Sequence, residues 1–289
     1  MTNTLNPRQP QKKLKILLAE DNLVNRVLAQ KLLQKNGHDV TLASNGLEAI
    51  ALWVANHSIP FDVILMDVQM PLMDGLQATA HIRKKEKALL VKSAGRTERE
   101  QAGEFYVPIV AMTAHAMAGD RERYLAGGMD GYVSKPINPL ELEQVIQSVV
   151  TMRLPHIGSP NPVRDLANET NVEEIEEAEV LSAFDGDAIL TRELAELFSI
   201  ECPNYLNAMH TAIREGNNAA LEQAAHALKG SIGSFSTQGA YETAEKLEAL
   251  ATSGDMAGAL EFLKTLEEQL AELIRFLSRM TKETVNGRP

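Results

Sequence analysis

A single cysteine, Cys202, stands among 289 residues. It can form no internal disulfide and suits a reducing compartment, and zinc-finger spacing is missing with it. No apolar stretch approaches the roughly 18 residues of a membrane-spanning helix, and the start Met1-Thr2-Asn3-Thr4-Leu5-Asn6-Pro7 lacks the core of a signal peptide. The sequence therefore implies a soluble, cytoplasmic chain without direct membrane contact. Basic residues run short in the second half. Residues 1–150 carry 17 Lys+Arg against 16 Asp+Glu, a net of +1, and the remainder 11 against 23, a net of −12. Phosphate contacts to a nucleic acid need Lys and Arg, and no basic helix or winged-helix extension follows the first half, so no nucleic-acid partner is expected. The composition is 44% hydrophobic, enough for packed cores, at a length that suggests about two domains.

In the second half, Leu221, Ala225, Leu228, Ile232 and Phe235 fall on one stripe if each residue advances by about 100°. His226 projects roughly 140° from the middle of that stripe and is expected to face solvent. Gly233, Gly230 and Lys229 share its face, at about 20°, 40° and 60° from it. Two glycines inside a helix each cost about 1 kcal/mol relative to alanine, so they ask for a reason. The reason we read is close approach of another molecule to the imidazole, bringing negative charge for Lys229 to meet. A neutral imidazole is nucleophilic without an elaborate base. The other histidines considered, His38, His57, His81, His156 and His210, read as solvated surface side chains.

The first half supplies carboxylates. Leu14 to Ala19 is a short apolar run ending in Glu20-Asp21, and Phe61 to Met66 is another ending in Asp67. Such runs, separated by helical patterns, read as buried parallel strands, whose carboxyl ends converge on one crevice of an open α/β sheet. Three carboxylates there repel one another unless a cation joins them, and hard oxygen ligands with room for water suit Mg²⁺. Two more strand ends follow: Val107 to Met112 runs into Thr113, and Gly131-Tyr132-Val133-Ser134 into Lys135-Pro136, an X-Pro bond that permits the cis form.

An acid pair, a lone Asp, a hydroxyl and a Lys, in that order after successive strands, resemble a response-regulator receiver domain. The strings Leu18-Ala19-Glu20-Asp21-Asn22, Met66-Asp67-Val68-Gln69-Met70-Pro71, Ala111-Met112-Thr113-Ala114 and Lys135-Pro136-Ile137 are especially like receivers of hybrid sensor kinases. The string His226-Ala227-Leu228-Lys229-Gly230-Ser231 resembles the phosphoacceptor helix of histidine phosphotransfer (HPt) domains. The receiver resemblance makes Asp67 the phosphoacceptor. It assigns Mg²⁺ to Asp21, Asp67 and the backbone carbonyl of Gln69, with Glu20 acting mainly through a metal-bound water. Lys135 and the Thr113 hydroxyl would meet phosphoryl oxygens, with Thr113 and Tyr132 as the switch pair. The HPt resemblance makes His226 the residue that takes and gives the phosphoryl group, steadied by Lys229, with Gly230 and Gly233 allowing close approach. Asp74, in a turn before a helix, receives no chemistry.

The implied fold is α/β plus all-α: a flavodoxin-like, doubly wound, parallel five-stranded receiver joined by a linker to a helical bundle. Residues 1–12 read as a polar lead, 13–152 as the receiver, 153–175 as a Pro-, Gly- and acid-rich linker, and 176–285 as an HPt four-helix bundle. Within the bundle, Pro203 is expected to kink or divide its helix. In the receiver, the third helix is expected to end near Lys84, followed by a long polar connection to Glu104, and Trp53 to pack rather than bind. A linker of about 20 residues reaches roughly 25 Å, so transfer from Asp67 to His226 within one chain is geometrically possible.

The resemblance implies a multistep phosphorelay. A sensor histidine kinase would be the donor and a downstream response-regulator receiver the recipient. No dimerising His-Glu helix pair or glycine-rich ATP-binding fold is present, so the sequence reads as a phosphotransfer intermediate rather than an enzyme, either free-standing or the C-terminal part of a hybrid kinase. The alternative is an interaction scaffold switched by phosphorylation of Asp67 without relay through His226. A hydrolase using an Asp nucleophile would want a second Asp two residues later, where Gln69 stands.

Overall fold

The structure, a computed structural model, describes residues 12–56, 60–92, 106–114, 118–152, 180, 181, 184, 186–235 and 238–286. Residues 1–11 of the expected lead, the 153–175 linker, and residues 93–105 of the long connection lie outside them. The first half runs β1 (Lys15–Ala19), α1 (Leu23–Lys35), β2 (Asp39–Ala43), α2 (Gly46–Ala55), β3 (Val63–Asp67), α3 (Gly75–Lys92), β4 (Ile109–Thr113), α4 (Ala118–Ala126), β5 (Gly131–Ser134) and α5 (Pro139–Met152). The second half is α6 (Ala188–Glu215), α7 (Asn218–Gly233), α8 (Gln238–Ser253) and α9 (Met256–Asn286).

All five strands are parallel, in the order β2-β1-β3-β4-β5. β3 and β4 are buried along their whole length, the uniform burial expected of strands covered by helices on both faces. Ile16, Leu18, Val63, Leu65, Val110 and Met112 join the core shared with α1 and α5. Leu17, Ala19, Ile64, Met66 and Ala111 join the other, where Trp53 packs as expected. The chain order reverses at β1, so the carboxyl ends of β1 and β3 flank the crevice where open α/β sheets hold their sites.

Helix starts follow from side-chain caps. Asn22 accepts from the Asn25 amide, Asn45 from Glu48 and Asp74 from Gln77, at 3.0, 2.9 and 2.7 Å. Asp74 therefore caps, in keeping with the absence of chemistry assigned to it. α3 continues to Lys92, two turns past the expected end. A buried polar network holds it past Lys84: Arg83 pairs with Glu86 at 2.8 Å and Asp130 at 2.7 Å, and Glu86 accepts the Val107 amide at 2.8 Å. This ties the helix to the returning chain.

The second half is an antiparallel bundle built on helical stripes. Leu263, Leu266, Leu270, Leu273, Leu277 and Met280 are all buried, as are Leu221, Ala225, Leu228 and Ile232. Phe235 packs against Phe184 and Phe198 with ring centroids at 5.7 and 5.2 Å. Pro203 does not divide α6, which runs unbroken for 28 residues. Proline removes one backbone bond, but Phe198, Cys202 and Met209 are buried on either side of it, so tertiary packing holds the helix across the gap. His38 is also not a surface residue: it is buried, its Nδ1 accepting from the Leu14 amide at 3.3 Å and its Nε2 3.4 Å from Glu143.

Candidate functional site

β1, β3 and β5 deliver four charged side chains to one point. Glu20 and Asp21 follow β1, Asp67 ends β3, and Lys135 follows β5, held there by its amide donating to the Thr113 carbonyl at 2.7 Å. Lys135 Nζ lies 2.8 Å from both Glu20 Oε2 and Asp67 Oδ2. Glu20, Asp21 and Asp67 each offer an oxygen, all within 4.8 Å of one another. Burial, and after it the Asp67 charge, pushes Glu20 up to about 8 and Asp21 up to about 6. Burial would lower the Lys135 ammonium, but Asp67 and Glu20 outweigh it and raise it. The cluster thus holds more buried negative charge than one lysine balances, the situation a hard cation relieves.

Thr113 is buried at the end of β4, its Oγ1 hydrogen-bonded to the Tyr124 hydroxyl at 2.8 Å. Tyr132 packs half-buried against the same side of the sheet. The Gln69 amide donates to Asp67 Oδ1 at 3.2 Å. Gly75 leaves room for the Asp67 backbone, since a Cβ there would collide with the Asp67 carbonyl oxygen.

His226 lies at the same place. Glu20, Asp21, Asp67, Lys135, His226 and Lys229 line one pocket between the two halves. The expectation of a solvent-facing imidazole is corrected: the His226 side chain is 16% exposed. It does point away from the bundle core, but the first half and α8 cover that face. Lys229 is corrected further. At 1% exposure its ammonium stands 2.5 Å from Glu248 Oε2, so it is committed to a carboxylate instead of waiting in solvent. Gly230 and Gly233 sit at close approaches, where a Cβ would stand 2.9 Å from Asn25 Nδ2 and 3.3 Å from the Tyr241 ring.

Sequence reasoning missed Glu248. Its Oε1 lies 2.7 Å from His226 Nδ1. Burial would raise its carboxyl, but the hydrogen bonds from His226 and Lys229, with their charges, outweigh it and bring it to about 2. An ionised carboxylate only accepts, so Nδ1 donates to it, and in the neutral ring this leaves the lone pair on Nε2. The signal lay 22 positions along, on α8, where one glutamate among many carries no mark in a single sequence.

Glu248 stabilises the fold above its ordinary value of 4.5, and that contribution is lost as pH falls toward about 2. The stability difference between wild type and Glu248→Gln, measured by urea denaturation, is therefore expected to be full at about pH 5 and to shrink steadily below it. Among the described residues, His226 and Lys229 on α7 and Tyr241 on α8 are titratable neighbours of it, and Glu245 on α8 lies 3.8 Å from Lys229.

Residues 16–147 match the family model for the response regulator receiver domain, and residues 193–276 that for the Hpt domain. The chain is a receiver domain followed by an Hpt domain. Both are phosphotransfer modules, which gives the chain a part in a two-component phosphorelay. Sensor histidine kinase GacS of Pseudomonas protegens is 34% identical over 231 residues, covering 78% of this chain and 23% of that protein. Hybrid signal transduction histidine kinase I of Dictyostelium discoideum is 40% identical over 159 residues, covering 54% of this chain and 8% of that protein. This chain thus spans less than a quarter of either relative. Among solved structures, the receiver domain of sensor histidine kinase PA1611 from Pseudomonas aeruginosa is 35% identical, with a TM-score of 0.37, covering 48% of this chain and 98% of that one. Among the described residues no helix is long and apolar enough to cross a membrane.

Proposed function

We propose that Asp67 accepts a phosphoryl group from a phosphohistidine of a sensor histidine kinase, that His226 of the same chain takes it from Asp67, and that a receiver aspartate of a downstream response regulator takes it from His226. The observation that carries this reading is the single pocket lined by Asp67, Lys135 and His226. Phosphoryl transfer is catalysed by alignment and by neutralising charge, and the pocket gathers both acceptor side chains and the Lys135 cation in one place.

In the transfer, the His226 Nε2 lone pair attacks phosphorus on phosphorylated Asp67. The N–P bond forms, the P–O bond to Asp67 breaks, and the carboxylate returns to the side chain. Lys135, already 2.8 Å from Asp67 Oδ2, meets the charge on the phosphoryl oxygens and then on the returning carboxylate. Glu248 fixes the ring tautomer and faces the positive charge that develops on the imidazole, while buried Lys229 steadies Glu248. In this state Lys229 acts on His226 through Glu248. The Thr113 hydroxyl would exchange Tyr124 for a phosphoryl oxygen, with Tyr132 as its switch partner.

The carboxylates of Glu20, Asp21 and Asp67 fit Mg²⁺: all are hard oxygen donors, and their crowding favours a cation, with the Gln69 carbonyl the further oxygen that would join them. Bound there, Mg²⁺ would neutralise charge on the phosphoryl oxygens and hold the carboxylates ionised. The reading places this work in the cytoplasm and uses no ATP on this chain.

Radiolabelled acetyl phosphate, an acyl-phosphate donor, tests it on the full chain. Label is expected on Asp67 and then on His226 only when Mg²⁺ is present, and to disappear with excess EDTA. Equal labelling in EDTA would contradict the metal assignment.

A further inference from the structure

We propose that Asn22 and Asn25 form a latch by which the receiver selects the helix it phosphorylates. That helix carries Gly and Ser four and five residues after the accepting histidine and is capped by Ser eight residues after it, as α7 and Ser234 of this chain do. The inference rests on Asp67-to-His226 transfer and adds what decides which histidine is served.

Both asparagines sit at the start of α1 and are buried. Each uses its two amide ends for different tasks. Asn22 Oδ1 caps α1, while its Nδ2 crosses to the bundle and donates to the Ala227 carbonyl at 2.6 Å and to Ser231 Oγ at 2.8 Å. Asn25 Nδ2 donates to Glu20 Oε1 at 3.4 Å, while its Oδ1 accepts from Ser234 Oγ at 3.1 Å. The Asn25 amide can lie there only because residue 230 has no side chain, a Cβ falling 2.9 Å from Nδ2. Asn25 thus touches a metal-site carboxylate at one end and the Hpt helix at the other.

The chemistry is selective. A carboxylate in place of either amide would lose the donor, and an aliphatic residue in place of Ser234 would leave Asn25 Oδ1 without its donor, whereas without the Ser231 hydroxyl Asn22 Nδ2 keeps the Ala227 carbonyl at 2.6 Å and the Tyr205 hydroxyl at 3.5 Å. A buried polar group left unpaired costs about 1–3 kcal/mol, or about five- to a hundredfold in an equilibrium constant. The half-exposed Lys31–Glu193 ion pair between α1 and α6, at 2.9 Å, discriminates far less, since exposed pairs are worth little.

The test uses the full chain loaded with radiolabelled acetyl phosphate and Mg²⁺, and follows two quantities: label reaching Asp67 in a His226→Gln background, and the rate at which label appears on His226. Ser234→Ala is expected to leave the first unchanged and to slow the second by about tenfold, and Ser231→Ala, which leaves Asn22 Nδ2 two other acceptors, to slow it less. Ser234→Thr, which keeps the hydroxyl, should recover most of the rate. Asn25→Ala combined with Ser234→Ala should be no slower than the slower single variant, because both break one contact. Full-rate transfer in Ser234→Ala, or losses that multiply in the double variant, would overturn the latch while leaving Asp67-to-His226 transfer standing. Wild type that never labels His226 through Asp67 would instead overturn the transfer reading, and the latch with it.

Discussion

Asp67→Asn protein is expected to take no label at either Asp67 or His226, from acetyl phosphate or from a phosphorylated sensor kinase. The substitution keeps the size of the side chain and an oxygen for the Gln69 amide, which donates to Asp67 Oδ1 at 3.2 Å. It removes the anionic oxygen that would attack phosphorus in the proposed transfer, and with it the ion pair to Lys135 at 2.8 Å. Loss of a nucleophile commonly costs several orders of magnitude, so the residual rate should fall below detection. The fold should survive, because a neutral amide eases the crowding that burial and the Asp67 charge impose on Glu20 and Asp21. An unchanged urea midpoint checks that the loss is chemical. Label on His226 in Asp67→Asn would show that His226 takes its phosphoryl group from a donor other than Asp67.

His226→Gln is expected to give the complementary result: full label on Asp67 and none on the bundle. The two linkages are told apart by their chemistry, since an acyl phosphate is cleaved by alkali whereas a phosphohistidine survives alkali and is lost in acid. Glutamine can still donate an N–H toward Glu248, so the Glu248–Lys229 pair at 2.5 Å keeps a neighbour, and the bundle is expected to remain folded. Label leaving Asp67 in this variant should go to water, making the acyl phosphate longer-lived than in wild type. If His226→Gln drained Asp67 as fast as wild type, the imidazole would not be the route out.

Much of this was legible in the sequence, for identifiable reasons. The strand ends carrying Glu20, Asp21, Asp67 and Lys135 follow from short apolar runs ended by charge, a pattern that buried parallel strands impose. The stripe Leu221, Ala225, Leu228 and Ile232 fixed the rotation of α7, and all four are buried. Rotation places a side chain relative to its own core, however, and cannot tell solvent from a second domain. His226 and Lys229 were accordingly read as exposed, yet the receiver and α8 enclose them. The latch was illegible for a related reason: Asn22 and Asn25 look like ordinary helix-start residues, and their partners Ala227, Ser231 and Ser234 lie more than 200 residues away. Pro203 does not divide its helix, because propensity counts one lost backbone bond and not the packing around it.

The central claim is that Asp67 and His226 of one chain exchange a phosphoryl group directly. The most direct measurement is the dependence of His226 labelling on protein concentration after a brief pulse of labelled acetyl phosphate. In wild type the rate constant should be the same across a hundredfold dilution. An equimolar mixture of His226→Gln and Asp67→Asn chains, which can transfer only between molecules, should slow in proportion to dilution. A wild-type rate that falls with dilution as the mixture's does would contradict the claim.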